Sequence, residues 1–374
     1  MIRHLNYIGP LAAFLLFVLL TVNGWTTAPA VTAAVTLLCA TWWVFEPVPI
    51  PFTSLIPLAV FPLLGVLTPA QVGQAFGSPL ILLLMGGFML STAMADSGAH
   101  RRIAMYMVNI FGGGSARGLV LGFMAAAAVL SMWISNTATT LMLLPVALAV
   151  LEQTEKKMQI PLLLGIAYAA SIGGLGTPIG TPPNLVFMQV HLDQIGSTPS
   201  FPEWMSWGIP VVVCMIPMTW LWLTRNLTYK GGFEMPEVGV WSTMEKRVMT
   251  IFALTATAWV TRKEPFGGWS SWLDLPAAND ASVALIAVIL MFVTPAGYDS
   301  KERRGERLLD WETAKTIPWG ILLLFGGGIT LAKAFGVSGL SAAIAGQLSD
   351  LSTLPILLMI FAICLGVTFL TETT

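Results

Sequence analysis

The chain has 374 residues, of which 56% are hydrophobic and only 10% are charged, and its formal net charge is −1. Soluble globular proteins carry about 25% charged residues, so this composition excludes an ordinary soluble domain and indicates a polytopic membrane protein. The near-neutral charge, without a concentrated basic patch, argues against a nucleic-acid partner.

Apolar stretches of helical length recur along the whole chain. A helix needs about 20 mostly apolar residues to cross the ~30 Å hydrocarbon layer of a bilayer. The predicted spans are Ile8–Val22, Ala28–Phe45, Ile50–Leu67, Ser78–Ala95, Trp204–Leu223, Arg247–Val260, Ala281–Thr294, Thr316–Phe335 and Leu354–Leu370, with two longer apolar runs, Gly118–Leu151 and Ile160–Val190. The sequence therefore predicts an all-α polytopic membrane protein.

The first long run has a polar centre, "SMWISNTATT", beginning at Ser131. Its apolar arms, Gly118–Trp133 and Ala138–Leu151, are each about 15 residues long, which gives roughly 22 Å of helix and is too short to span comfortably. Irregular backbone at membrane depth is tolerated only against protein or a water-filled cavity. We therefore predict a re-entrant hairpin whose polar tip faces a cavity.

The second long run is interrupted by "SIGGLGTPIGTPPN", Ser171 to Asn184. Four glycines and three prolines in this stretch cannot continue a helix. Apolar helical sequence flanks the interruption on both sides, which predicts a broken transmembrane helix with an unwound middle. The half-helices and the hairpin tip would leave backbone N–H groups unpaired near the midplane.

The basic residues are distributed unevenly between alternate loops. If the N-terminus is cytoplasmic and Gly118–Leu151 enters and leaves on one side, the inner loops hold every basic residue except Arg262, Lys263 and Lys333. This positive-inside bias supports the hairpin, since a full crossing would invert every later loop. We expect a bacterial-type inner-membrane protein with its N-terminus in the cytoplasm.

Two segments of the chain resemble each other at an offset of about 240 residues, Ile81–Gly98 and Ile321–Gly339. The charge pattern places their first ends on opposite sides of the membrane. Inverted repeats with broken helices at the midplane are typical of secondary transporters. At this offset the counterpart of Ser135-Asn136-Thr137 would fall beyond Thr374, so we expect the sequence to belong to a longer protein.

The two interruptions offer neutral oxygens and backbone N–H groups. Neutral oxygens suit sodium, and N–H groups at helix N-termini suit anions. A proton-coupled carrier would usually place a carboxylate or histidine relay in the membrane, and this sequence almost lacks one. Taken singly, residues such as Thr139 and Thr140 are typical of backbone-bonded membrane hydroxyls, and the glycines at Gly326–Gly328 are typical of close helix packing.

The segments "SMWISNTATTLMLLP" and "GTPPN" resemble the divalent anion:sodium symporter family, which includes sodium-coupled dicarboxylate and citrate carriers. The resemblance covers essentially the whole chain. It implies eleven membrane helices plus two hairpins, a homodimer, and an elevator-type motion of a transport domain against a scaffold. By resemblance the sodium ligands are Ser131, Ser135, Asn136, the Gly180 carbonyl and, at a second site, Thr371, while Asn136, Thr137, Thr181 and Pro182 line the substrate carboxylate.

These patterns together predict a symporter that imports a small dicarboxylate with sodium. Residues 1–77 are expected to form a first scaffold segment, and residues 78–200 a transport segment with the hairpin and the broken helix. Residues 201–315 are expected to form a second scaffold segment, and residues 316–374 an incomplete second transport portion. A dicarboxylate exchanger, or a sulfate or arsenite carrier, of the same architecture is the nearest alternative. An intramembrane enzyme with Ser135 as nucleophile is a remote one, because no base lies near it in sequence.

Overall fold

A computed structural model of the protein describes residues 2–111, 115–152, 154, 156–227, 239–264, 266–297 and 305–347, with Leu358 and Phe361. Within these ranges the chain is almost entirely α-helical, and its β structure is an isolated bridge between Pro295 and Arg307. Most of the predicted last span, Leu354–Leu370, lies outside the described residues, and so does Thr371.

The predicted apolar stretches are largely helical where the structure describes them, whereas the helices Pro69–Phe76, Ala99–Phe111, Gly268–Trp272, Trp311–Ala314 and Leu340–Gln347 were not among the predicted spans. Among the described residues, five helical stretches are long and apolar enough to cross a membrane, Thr27–Phe45, Pro69–Ser97, Lys156–Gly176, Phe201–Thr224 and Trp319–Val337. The chain is therefore a multi-pass helical membrane protein. The helices are α1 Ile2–Val22, α2 Thr27–Phe45, α3 Ile50–Thr53, α4 Leu55–Leu63, α5 Pro69–Phe76, α6 Pro79–Ser97, α7 Ala99–Phe111, α8 Ala116–Ser131, α9 Asn136–Leu151, α10 Gln159–Gly173, α11 Pro182–Ile195, α12 Phe201–Thr224, α13 Thr243–Val260, α14 Gly268–Trp272, α15 Asp280–Val293, α16 Trp311–Ala314, α17 Trp319–Val337 and α18 Leu340–Gln347.

The predicted span Ile50–Leu67 corresponds to an apolar helical stretch over Ile50–Leu63, which is four residues shorter at its C-terminal end. The chain turns at Ser54 between α3 and α4, and α4 ends at Leu63. Pro57 has no N–H to donate to the carbonyl of Thr53, so the helical hydrogen bond at this position is missing. The thiol of Cys39 on α2 lies 3.9 Å from that carbonyl and donates to it. The Cys39 thiol thus supplies a donor where Pro57 has none.

The structure divides into two compact units, of which the first comprises residues 1–81 and 319–374. Its core contains Val35, Cys39 and Phe61. In α17, a Cβ added at Gly326 would overlap the ring of Phe76, and one at Gly327 would overlap the carbonyl of Ser54. The predicted close-packing role is confirmed for these two glycines, because only hydrogen in place of a side chain permits such contact.

The second unit comprises residues 82–318 and contains both predicted interruptions. Small residues let its helices α8 and α10 approach closely. A Cβ on Gly165 would lie 3.1 Å from the Cγ of Met124, and one on Gly173 would overlap the backbone of Ala128. This close packing brings the two interrupted segments side by side.

Two arginines that were expected in loops are buried in ion pairs. Arg102, in α7, donates from Nε and Nη2 to the carboxylate of Glu245 in α13, with both distances 3.0 Å, and its guanidinium lies 4.9 Å from the ring centroid of Trp241. Arg262 donates from Nε to Oδ1 of Asp280 at 2.6 Å. Sequence analysis treated both arginines as topology signals, whereas each also joins two helices of the second unit.

The helices at the repeated segments correspond in length and position. Helix α6 spans Pro79–Ser97 and α17 spans Trp319–Val337, so both ends are 240 residues apart. A helix follows each of them after a short link that contains a glycine in the left-handed conformation, Gly98 after α6 and Gly339 after α17. The two helices therefore agree in length and keep the spacing of the two similar sequence segments.

The side chain of His100 is expected to make stability depend on pH. It follows α6 and is partly buried, and its Nδ1–H donates to the Met94 carbonyl at 3.0 Å. Burial lowers the pKa of His100 below 6.5, and the charge of Arg101 lowers it further. The unfolded chain then binds more protons in acid, so stability is lost as the pH falls below about 6.5.

The measurement is the apparent melting temperature of the detergent-solubilised protein between pH 5 and pH 8. We expect a smaller decrease in acid for His100→Gln than for the wild type. Parallel curves for the two proteins would contradict this assignment.

Candidate functional site

The predicted hairpin consists of α8 and α9 with a break at residues 132–135. Each helix has 16 residues, which is about 24 Å and shorter than the hydrocarbon layer. Ser135 is the N-cap of α9, and its Oγ accepts from the N–H of Ala138 at 3.2 Å. The predicted start of this arm at Ala138 is therefore wrong by two residues. Asn136 and Thr137 form the first turn of α9 because Ser135 caps it.

The first turn of α9 carries backbone donors that have no protein partner in the part of the chain that the structure describes. The N–H of Ala138 is bound by Ser135 Oγ and that of Thr139 by the Ser135 carbonyl. Within the described ranges, the N–H groups of Asn136 and Thr137 have no acceptor. Such donors at a helix N-terminus, together with the helix dipole, favour an anion.

The predicted broken helix is confirmed as three pieces: α10 ends at Gly173, a 3₁₀ turn covers Gly174–Gly176, and α11 begins at Pro182. Between them Thr177 is extended, and the N–H of Gly180 donates to the Thr177 carbonyl at 3.2 Å. The sequence predicted that the half-helices on either side of this break would leave unpaired backbone N–H groups. The first turn of α11 offers fewer than expected, because Pro182 and Pro183 carry none.

The two interruptions meet at Gly174. A Cβ built on Gly174 would lie 2.8 Å from Oδ1 of Asn136, 3.1 Å from the Cβ of Thr181 and 3.4 Å from the carbonyl oxygen of Gly180. The backbones of Gly174 and Gly180 are themselves in close contact. Hairpin tip and unwound segment are thus direct neighbours, although about 40 residues of chain separate them.

The oxygens at this point are uncharged. Ser131 is fully buried at the end of α8, and its Oγ–H donates to Oδ1 of Asn136 at 2.5 Å. Across the part of the chain that the structure describes, there is no cluster of three His, Cys, Asp or Glu side chains that could hold a transition metal. Hydroxyl, amide and carbonyl oxygens are the ligands that suit a weakly charged hard cation.

The remaining predicted site residues differ in how closely they approach this point. Ser135 uses its oxygen as a helix cap and retains its own hydroxyl hydrogen. Thr137 is exposed on the first turn of α9. Pro182 is the first residue of α11. The structure therefore brings together Ser131, Asn136, Gly180 and Thr181, while Thr371 lies outside the described residues.

Three residues that shape the site were not predicted from the sequence: Gly174, Thr177 and Asn184. Gly174 has an ordinary helical conformation that any residue can adopt. A glycine is needed here because a side chain would not fit, and not because of the backbone conformation. Asn184, which is 3% exposed, donates from Nδ2 to the carbonyls of Gly174 and Thr177, each at 2.8 Å. Asn184 is the last residue of the "GTPPN" segment, so the sequence pointed to its position. The sequence could not show which carbonyls its side chain binds.

Helix α12 supports the unwound segment from outside. The indole Nε1 of Trp204 donates to the Leu175 carbonyl at 2.9 Å. Gly208, one turn later, lies against the same carbonyl so closely that a Cβ would overlap it. These contacts satisfy a backbone acceptor that the helix break leaves without its helical partner.

Comparison with known proteins gives a consistent family. Residues 40–374 match the citrate transporter family. The chain is 38% identical over 351 residues to sodium-dependent dicarboxylate transporters SdcS from Staphylococcus aureus strains bovine RF122 / ET3-1, MW2 and NCTC 8325 / PS 47. In each case the match covers 87% of this chain and 66% of the relative, so the chain spans about two thirds of the length of these relatives. With most of its residues matched, the chain belongs to the citrate transporter family, a family of transporters and not of enzymes.

Proposed function

We propose that this protein is a sodium-coupled symporter that imports a small dicarboxylate of the succinate, fumarate or malate type. The observation that carries the proposal is the meeting of the hairpin tip with the unwound segment at Gly174. Neutral oxygens and free N–H groups lie side by side there. The names of the Staphylococcus aureus relatives, which specify sodium and dicarboxylate, support this choice of ion and substrate.

The helix ends at this point favour a cation next to an anion. The C-terminal ends of α8 and α10 carry partial negative charge, and the N-terminal ends of α9 and α11 carry partial positive charge. Sodium would bind between Ser131, Ser135, Asn136 and the Gly180 carbonyl. A second sodium site would include Thr371. The sodium ion supplies the positive charge that these neutral side chains lack.

The substrate carboxylate would bind on the N-terminal side of the same helices. The N–H groups of Asn136 and Thr137 are available to it, as is the side-chain amide of Asn136, whose oxygen is engaged by Ser131. Thr181 and Pro182 would complete this wall of the site. If the sodium ions carry more positive charge than the substrate carries negative charge, the membrane potential drives uptake. Each net positive charge that moves inward gains about 2.3 kcal/mol per 100 mV of membrane potential.

The architecture that we propose is an elevator of two inverted repeats. Residues 78–200 would form the moving transport segment, residues 1–77 and 201–315 the scaffold, and residues 316–374 part of the second transport portion. The equal spacing of α6 and α17 supports the repeat. By family resemblance we also propose a homodimer in the inner membrane with a cytoplasmic N-terminus.

An exchanger, or a carrier of sulfate or another divalent anion, is the alternative that the same site allows. The enzyme alternative has less support, because within the described residues Ser135 Oγ is paired with a backbone N–H and not with a basic side chain. A nucleophilic serine needs such a base within hydrogen-bond reach.

Uptake of radiolabelled succinate into proteoliposomes of the full-length protein tests the function. We expect uptake under an inward sodium gradient and none when potassium replaces sodium on both sides. A parallel assay measures whether unlabelled sulfate competes with succinate for uptake. Succinate exchange that proceeds equally well in sodium-free vesicles would contradict symport and favour the exchanger.

A further inference from the structure

We propose that Asn184 and Thr177 are positioning residues that hold the unwound segment against the hairpin tip and thereby set the affinity for sodium. This inference rests on the proposed function. It concerns two side chains that have no assigned part in binding the ion or the anion.

The amide of Asn184 bridges the two ends of the 3₁₀ turn. Its Nδ2 donates one hydrogen to the Gly174 carbonyl and the other to the Thr177 carbonyl, both at 2.8 Å. The Gly174 carbonyl lies where the helical hydrogen bonds of α10 have ended, so it needs a donor from elsewhere, and the Thr177 carbonyl accepts from Asn184 in addition to the N–H of Gly180. A side-chain amide has two donor hydrogens, and both are used here. Asn184 therefore fixes the width of the unwound segment.

The hydroxyl of Thr177 connects that segment to the hairpin. Thr177 is fully buried, and its Oγ1–H donates to the carbonyl of Met132, which caps the end of α8. The side chain of Met132 lies against Gly176, where an added Cβ would be 2.9 Å from its Cγ and its Cε. The unwound segment is thus attached at two points to the residue that follows Ser131.

The two side chains form one connected series. Asn184 binds the Thr177 carbonyl, Thr177 binds the Met132 carbonyl, and the chain continues from Met132 to Asn136 at the tip. Because the donor hydrogens of Asn184 and Thr177 are all engaged with backbone, neither side chain donates to a ligand. Their effect is to set the distance between the Asn136 amide oxygen and the Gly180 carbonyl.

An ion site of neutral oxygens depends strongly on such distances. Ligand groups need to be held within about 0.5 Å of their productive positions by the residues behind them. Removal of the residues that orient metal ligands typically weakens metal binding by about 10- to 100-fold. We therefore expect the sodium concentration for half-maximal uptake to increase at least about tenfold when either donor is lost.

Isosteric and conservative variants of the full-length protein test the proposal in succinate-uptake proteoliposomes. Thr177→Val and Asn184→Leu remove the donors with little change in volume. Thr177→Ser keeps the hydroxyl. Thr257→Val is the matched control, because the hydroxyl of Thr257 donates only to the Ala253 carbonyl of its own helix α13. Sodium half-saturation and maximal uptake at saturating sodium are measured separately.

The expected result is a rise of about tenfold or more in sodium half-saturation for Thr177→Val and Asn184→Leu, with maximal uptake retained within about twofold. Thr177→Ser and Thr257→Val stay close to the wild type. A loss of folded protein or maximal uptake in Thr177→Val and Asn184→Leu, with unchanged sodium half-saturation, would overturn positioning in favour of a purely structural role. Failure of Thr177→Ser to restore sodium affinity would overturn it as well.

The wild-type measurement separates the two levels of inference. If wild-type uptake does not require sodium, the proposed function is wrong and the positioning role falls with it. If wild-type uptake requires sodium and all four variants match it, the positioning role alone is wrong.

Discussion

Replacement of Asn136 by alanine is expected to abolish sodium-dependent uptake by the full-length protein without lowering its expression. Asn136 is only partly buried, so the loss of its side chain leaves no large cavity in the core. Its Oδ1 accepts from Ser131 and lies beside Gly174 and the Gly180 carbonyl. Alanine at this position therefore removes an oxygen of the cation site and an amide of the anion site together.

A methyl group added at Gly174, on the unwound segment that faces Asn136, is also expected to abolish uptake. In Gly174→Ala the new Cβ would lie 2.8 Å from the Asn136 oxygen, while the backbone conformation at Gly174 suits alanine. The matched control is Gly328→Ala, since a Cβ there meets no atom of the described residues within 4 Å. We expect at least a hundredfold loss of uptake for Asn136→Ala and Gly174→Ala, and none for the control. Asn226→Ala, at an exposed position, controls for the loss of an asparagine.

Radiolabelled succinate uptake, normalised to the amount of reconstituted protein, is the measurement. Wild-type uptake by Asn136→Ala would remove this residue from the site. Loss of uptake in Gly328→Ala would show that the assay reports general disruption rather than the geometry at Gly174.

The second large effect is expected at the buried pair of Arg262 and Asp280. The guanidinium donates to both carboxylate oxygens, at 2.6 and 3.2 Å, and its Nη1 donates to the Ala278 carbonyl at 3.1 Å. Both residues are 8% exposed. Asp280 is also the first residue of α15, and its carbonyl accepts from the indole of Trp259. The pair therefore joins the end of α13 to the start of α15.

Arg262→Met is expected to destabilise the second unit by about 3–5 kcal/mol, because it leaves the carboxylate of Asp280 buried without its partner. The double variant Arg262→Met/Asp280→Asn is expected to recover part of this loss, since the uncompensated charge is gone. Lys263→Met, at the exposed neighbouring position, is expected to change stability by no more than about 0.5 kcal/mol.

Thermal unfolding in detergent, followed by tryptophan fluorescence, measures the order of the four proteins. We expect the order wild type and Lys263→Met, then the double variant, then Arg262→Met. A double variant less stable than Arg262→Met would mean that the buried carboxylate itself is not the source of the destabilisation.

Local chemistry explains the parts of the fold that could be predicted from the sequence. Glycine and proline end helices through their own backbone properties, so the interruption between Gly173 and Pro182 follows from the residues within it. The length of an apolar run decides whether it can cross the membrane. The two arms of Gly118–Leu151 are each too short to cross, which is why the sequence predicted a hairpin there. Where local signals compete, the prediction was less exact: the second arm of the hairpin was expected to begin at Ala138, but Ser135 is an N-cap and α9 already begins at Asn136.

Contacts between distant residues could only be found in the tertiary structure. Nothing local specifies that the Asn136 amide meets Gly174, that Asn184 binds two carbonyls of the unwound segment, or that the Cys39 thiol donates to Thr53. The same holds for Arg262, whose charge indicated membrane topology while its burial depends on Asp280. The sequence by itself determined the helices, their breaks and the uncharged chemistry of the site. The tertiary structure decided which of those groups face one another, because that depends on close packing between helices far apart in the chain.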